Sequence, residues 1–234
     1  MDARALRELG LLEVARLYGL DREPSTAAPT MPAAEVDTSA VSLQPRADVS
    51  GHGFVELRAA VAECRACGLH AQRKQAVFGV GAESGPWMFV GEGPGADEDA
   101  LGDPFVGQAG KLLDAMLAAI GCSRERDAYI ANVVKCRPPG NRTPSHDEAA
   151  ACAGFLDRQI ELVAPKLLVA LGKTAAMRLL GTEASLASLR GKVHRYRDIP
   201  LIVTYHPAYL LRTLADKSKA WEDLLFARRT LAAP

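Results

Sequence analysis

Four short, nearly continuous apolar runs punctuate the chain, and stretches of helical periodicity separate them. The runs are residues 87–91 (WMFVG), 128–134 (AYIANVV), 166–171 (KLLVAL) and 200–205 (PLIVTY). Such runs predict strands buried on both faces; half-solvated strands would alternate apolar and polar positions. Apolar residues at helical spacing predict helices over 108–120, 146–163, 173–180 and about 218–231. Strands alternating with helices imply an α/β fold, with three layers (α/β/α) around a central, mainly parallel four-stranded sheet. In such sheets ligands bind beyond the carboxyl ends of the strands. The segments of chemical interest are therefore 91–105, 135–144 and 205–212.

The first fifty residues are different. Leucines at 6, 9, 11, 12, 17 and 20 predict a short N-terminal helix within residues 1–20. Residues 21–52 are rich in Pro, Ala, Ser and Thr, with little apolar periodicity, and are expected to form a disordered linker. Residues 53–234 remain as one globular domain.

Composition narrows the class only slightly. The 234 residues are 48% hydrophobic and 24% charged, ordinary globular values. The 28 basic and 28 acidic side chains balance, so the chain is not a uniformly basic nucleic-acid binder. Residues 1–123, however, hold 10 basic and 17 acidic side chains, and residues 124–234 hold 18 and 11. The neutral total thus conceals a basic C-terminal half that a polyanion can use, although chance segregation gives the same pattern. No 18-residue apolar run occurs, and the N-terminal leucines are interleaved with charges. Neither a membrane span nor a secretory signal is expected, and a cytoplasmic location is. Disulfides are rare there, so the five cysteines are expected to be ligands or buried thiols.

Candidate chemistry gathers in three places. Gly91, Gly93 and Gly95 alternate in GEGPGADED, a spacing that permits positive φ and close approach of backbone to a ligand. A dinucleotide site is disfavoured: the spacing is not GxGxxG, and Glu92, Asp97, Glu98 and Asp99 would repel a pyrophosphate. A tight turn with a solvated acidic face is the plainer alternative. Cys64 and Cys67 form CxxC, and Cys136 and Cys152 follow at the edges of predicted elements. Four thiolates suit a [4Fe–4S] cluster or tetrahedral zinc, and spacing does not choose between them. Asn132 interrupts an apolar strand, so its amide needs partners: neighbouring loop backbone or a ligand. Cys122 matches no pattern and is expected to be a free thiol, partly exposed.

Together, GEGPGADED with DPFVGQAGKLL, CRACGLHAQR, KCRPPGNRTP with a later helical cysteine, and HPAYLLR resemble the family 4 (iron–sulfur) uracil-DNA glycosylases. The resemblance covers about residues 52–231. It implies a DNA repair hydrolase that flips out uracil and excises it, leaving an abasic site. It implies that Cys64, Cys67, Cys136 and Cys152 hold a structural [4Fe–4S] cluster. In the uracil pocket it places Gly91, Gly93 and Phe105, which stacks on the base, and Asn132, which reads the O4 and N3–H edge. His206 is implied to donate to uracil O2. Glu92 is the first choice for the carboxylate that faces the oxocarbenium-like sugar or orients water. Glu98 corresponds to a position near uracil C5, able to exclude the thymine methyl. Arg137, Arg142 and Arg212 are implied phosphate contacts, and Leu210 or Leu211 a wedge into the duplex.

The expected partner is uracil-containing DNA, single- or double-stranded, with no membrane association and a monomeric protein. Residues 1–50 lie outside the resemblance and offer a docking segment for a repair or replication partner. Three rival readings compete. A relative that captures uracil-DNA covalently carries GEQPG and a reactive histidine in an insertion; here Asn141 stands near that place and His146 opens a helix. A non-catalytic metal module for single-stranded DNA would need more than 6% aromatic residues. A cofactor-dependent α/β enzyme is opposed by the acidic glycine loop.

Overall fold

The computed structural model describes residues 48–232. The expected N-terminal helix and most of the expected linker lie outside these residues. Within the linker's expected span, Val49 packs into the core at 5% exposure, so burial begins upstream of residue 53.

The described chain runs α1 (Phe54–Glu63), β1 (Val80–Gly81), β2 (Trp87–Gly91), α2 (Ala96–Leu101), α3 (Gln108–Ala119) and β3 (Ala128–Asn132). It continues through α4 (His146–Val163), β4 (Leu167–Leu171), α5 (Lys173–Leu180), α6 (Leu186–Leu189) and β5 (His194–Tyr196). It closes with β6 (Ile199–Thr204), α7 (Pro207–Leu210) and α8 (Lys217–Ala232). The sheet order is β1-β3-β2-β4-β6-β5. The four central strands are parallel, as the apolar runs predict. The expectation of a four-stranded sheet is corrected: among the described residues there are six strands, and β1 and β5 pair antiparallel at the two edges. These edge strands span two and three residues, too few for a periodicity to register.

All five residues of β2, β3 and β4 are buried, because helices cover both faces. Alternate side chains divide between two cores. Met88, Val90, Tyr129, Ala131, Leu168 and Ala170 face Leu57, Leu156 and Ile160 of α1 and α4. Phe89, Ile130, Leu167 and Val169 face Leu113 and Leu117 of α3 and Leu224 of α8. Cys122 belongs to this second core at 5% exposure, which corrects the expected partly exposed thiol. Burial pushes its pKa up to about 12, so it is an inert thiol at neutral pH.

Candidate active site

The parallel strands end in a cavity of about 750 Å³ lined by the loops after β2, β3, β4 and β6. Glu92, Gly93, Glu98, Phe105, Asn132, Arg142, His206 and Arg212 all line it, so four separate sequence motifs meet at one place. Gly91 and Asn132 are register partners at the ends of β2 and β3. The alternating glycines do not use positive φ as expected; none of the three is left-handed. Their role is space. A Cβ on Gly91 would sit 2.4 Å from Asn132 Oδ1 and 2.7 Å from Phe105 Cζ, and one on Gly93 would sit 2.8 Å from Val134 Cγ2.

Phe105 is the strained residue of the site. Its φ is +56°, a left-handed conformation that costs a non-glycine residue of order 1 kcal/mol or more and persists only where the surroundings enforce it. Several groups enforce it. Arg124 donates to Pro104 O (3.2 Å) and Phe105 O (3.1 Å) while pairing with Asp114. Glu98 accepts from the backbone N–H of Val106 (3.0 Å), Gly107 (3.2 Å) and Gly95 (3.0 Å). Glu98 therefore lines the cavity and also braces the loop that carries Phe105. Helix α2, capped by this same carboxylate, falls in a segment whose glycines and acidic residues predict only a loop.

Asn132 is 2% exposed, and its Oδ1 is buried without a hydrogen-bond partner. Unpartnered buried acceptors are uncommon and mark either stored strain or a place for a missing donor. The Phe105 and His206 rings lie 5.4 Å apart at 29° beside it. Burial, aided by the Arg212 charge and opposed by Glu98, pushes the His206 pKa down from 6.5 to about 4. The imidazole is thus neutral at physiological pH. Its Nδ1 accepts from Ala208 N (3.1 Å), which places the single ring proton on Nε2. Gly172, at φ +89°, leaves room for His206, whose Cβ would be 3.0 Å from a Cβ added there.

Glu92 is partly buried and accepts from the Thr174 hydroxyl at the start of α5. Nothing local in the sequence links these two residues, 82 positions apart. The expected phosphate contacts are less uniform. Arg212 is exposed at the cavity rim. Arg142 also lines it but forms a two-pronged pair with Glu148 (2.6 and 2.8 Å), and Arg137 donates to Asn141 Oδ1 (2.7 Å). Of the two candidate wedges, Leu210 is corrected: it is buried at 1% exposure on the inner side of the short α7, whereas Leu211 is 41% exposed. His146 is 95% exposed and does not line the cavity, which leaves the covalent-capture reading without its nucleophile.

A second, apolar cavity is lined by Cys64, Cys67, Cys136 and Cys152 together with Lys135 and Arg73. Arg73 Nη1 donates to Cys136 Sγ (2.9 Å), and the backbone N–H of Lys135 donates to Cys152 Sγ (3.3 Å). Burial raises the pKa of Cys67 and Cys136, and pushes that of Cys152 to about 12. Among the described residues, no three His, Cys, Asp or Glu side chains form a group suited to holding one metal ion. The thiols surround a shared space instead. Lys135, 1% exposed, donates through Nζ to Asn132 O (2.9 Å) and Gln159 Oε1 (2.5 Å), joining this cavity to the first. Burial lowers its pKa to about 8, against the opposing influence of Cys152 and Cys136.

The model of the uracil DNA glycosylase superfamily matches residues 78–225. A type-4 uracil-DNA glycosylase of Thermotoga maritima is 47% identical over 159 residues, 67% of this chain and 82% of that protein. Those of Archaeoglobus fulgidus (45% identical; 64% of this chain, 79% of that protein) and Pyrobaculum aerophilum (43% identical; 72% and 90%) are similarly related. The described residues include no helix long and apolar enough to cross a membrane. The chain belongs to the type-4 uracil-DNA glycosylases of the uracil DNA glycosylase superfamily.

Proposed function

We propose that the protein is a monofunctional DNA repair glycosylase that hydrolyses the bond between uracil and deoxyribose. The observation that carries this reading is the unpartnered Asn132 Oδ1 in the cavity beside Phe105 and a neutral His206. Uracil supplies what that acceptor lacks. Its N3–H donates to Oδ1, and its O4 accepts from the Asn132 amide N–H. Cytosine reverses both groups and leaves two buried polar atoms mismatched, which is how a fixed amide discriminates. The Phe105 ring replaces the stacking that a flipped base loses. Glu98, in the same lining, closes the space where a thymine methyl would sit.

As the glycosidic bond breaks, its electron pair passes to the uracil ring. His206 Nε2–H donates to O2, where that charge collects. A donor aimed at developing charge in a dry site is worth about 3 kcal/mol of barrier. Positive charge grows on the sugar. Glu92, oriented by Thr174, is the carboxylate that faces it; water adds to C1′ and its proton passes by way of Glu92 to the uracil anion, so neutral uracil departs and an abasic site remains. Arg212, Arg142 and Arg137 bind backbone phosphate, and Leu211 occupies the gap left in a duplex.

The cysteine cavity is proposed to hold a [4Fe–4S] cluster. Four thiols line one apolar space, with a cationic and an amide donor to sulfur, a donor set that suits such a cluster. When bound, the cluster supplies a cross-link, tying Cys64 and Cys67 to the β3 loop and α4; the hydrolysis needs no electron. A cytoplasmic, monomeric enzyme completes the reading, with residues 1–50 proposed as a docking segment.

The test is direct. Protein is incubated with a labelled oligonucleotide holding one uracil, without added metal or nucleotide, then with alkali. Cleavage at uracil that falls at least tenfold in His206→Ala and Asn132→Ala supports the reading. No cleavage from folded protein with its iron–sulfur absorbance intact overturns it.

A further inference from the structure

The cavity of about 750 Å³ is far larger than one pyrimidine ring, and its remaining lining is distinctive. Beyond His206 it includes Tyr205, Tyr209, Leu186, Ala187 and Lys173. The Tyr205 and Tyr209 rings stack face to face at 5.2 Å and 13°, so Tyr205 backs one face of Tyr209 and the opposite face of Tyr209 is left as the flat aromatic surface. The Arg190 guanidinium packs over Tyr205 at 4.6 Å. This assembly is immobilised. Arg190 is held by both carboxylate oxygens of Asp223 (2.7 and 3.1 Å) and by Lys219 O (2.8 Å). The Tyr209 hydroxyl donates to Asp216 (2.6 Å), which pairs with Lys219 (2.8 Å). Both rings remain only partly buried. Two aromatic residues held rigid at a cavity wall by five polar bonds are not needed for the core, which lies elsewhere.

We propose that Tyr209, backed by Tyr205, forms a second subsite, a stacking platform for the nucleobase that adjoins the flipped uridine on the same strand. This deepens the glycosylase reading and rests on it. Three observations select a nucleobase. The platform is continuous with the uracil site, since His206 lies between the two tyrosines in sequence and lines the same cavity. Lys173 and Arg212 at the same cavity supply cations for the intervening phosphates. The platform is flat and offers no directed hydrogen bond from its Tyr209 hydroxyl, which Asp216 already engages, so it accepts any base by its π face. The consequence is substrate preference. An unpaired neighbour reaches the platform easily, whereas one paired in a duplex must first leave its stack, so the subsite favours single-stranded or frayed DNA.

The experiment measures binding by fluorescence anisotropy to single-stranded oligonucleotides carrying 2′-fluoro-2′-deoxyuridine, an analogue that resists excision. The nucleotide on the 5′ or the 3′ side is replaced by an abasic spacer. On one of the two sides the spacer should weaken binding about tenfold for the wild-type protein and for Tyr209→Phe. In Tyr209→Leu the same spacer should cost less than twofold, because the flat surface is gone. Tyr209→Phe lacks the Asp216 bond too, so it separates stacking from anchoring. The proposal is overturned if neither spacer weakens wild-type binding, or if Tyr209→Leu loses as much to the spacer as the wild type. Uracil release from the ordinary oligonucleotide, measured in parallel, reports on the glycosylase reading alone.

Discussion

Gly91→Ala perturbs the proposed site by one methyl group and has a magnitude that follows from distances. The new Cβ would lie 2.4 Å from Asn132 Oδ1 and 2.7–2.8 Å from two atoms of the Phe105 ring. Carbon–oxygen approaches under 3.0 Å essentially never occur, so Oδ1 must retreat by at least about 0.6 Å and the ring by several tenths of an ångström. The Phe105 backbone cannot follow freely, because Arg124 and the Glu98-braced amides hold it in its left-handed conformation. Asn132 and Phe105 are the two groups proposed to read and stack uracil, and both move. Displacement of about 1 Å in a positioning group costs on the order of a hundredfold in rate, so kcat/KM for uracil release should fall between about tenfold and a hundredfold. Overpacking should cost the fold about 1–3 kcal/mol, which a domain of this size tolerates. The assay is single-turnover release from a uracil oligonucleotide, with urea denaturation and iron–sulfur absorbance as controls. Activity within threefold of wild type, from variant protein of normal fold, would refute the placement of uracil between Gly91, Asn132 and Phe105.

Three further outcomes are expected. Because burial holds the His206 pKa near 4, the rate of the chemical step should show no histidine limb between pH 5 and 8. The unfolded chain takes up this proton below about pH 6.5 and the folded chain does not, so stability is lost as pH falls through that window. The loss is about 2.5 kcal/mol at pH 4.5, and urea melts of His206→Gln should lack it; equal losses in both proteins contradict the assignment. Thr174→Val should reduce kcat about tenfold with little change in KM, and Thr174→Ser should restore it, if the hydroxyl orients Glu92; failure of serine to rescue argues for packing alone. Gln159→Leu leaves Lys135 with one oxygen partner and the Tyr129 hydroxyl without its amide donor. Denaturant unfolding should show a loss of about 3 kcal/mol, and a loss below 1 kcal/mol would mean that water or relaxation replaces those bonds.

Much of the frame was legible in the chain. Runs such as KLLVAL are continuous because both faces of the sheet are covered, and helices such as 146–163 carry their own capping box at Ser145 and Glu148. The edge strands were not legible, since pairing with a neighbour, rather than any pattern of their own, defines them. Helix α2 was hidden by its glycines and acids: Glu98 caps it by bonding back to Gly95, and that carboxylate looks from the sequence like a solvated charge.

The sequence by itself determined the order of elements, the family and the residue types at the site, because motifs and periodicities are local. Only the tertiary structure decided which atoms do what. Leu210 and Leu211 are neighbours, and helical rotation alone buries one and exposes the other. The Nε2 tautomer of His206 follows from a bond to Ala208, the strain at Phe105 from Arg124, and the orientation of Glu92 from Thr174. Lys135 joins the cysteine cavity to the backbone of Asn132 through contacts in a buried interior. These arrangements depend on burial and on partners brought together from distant parts of the chain, and a one-dimensional pattern records neither.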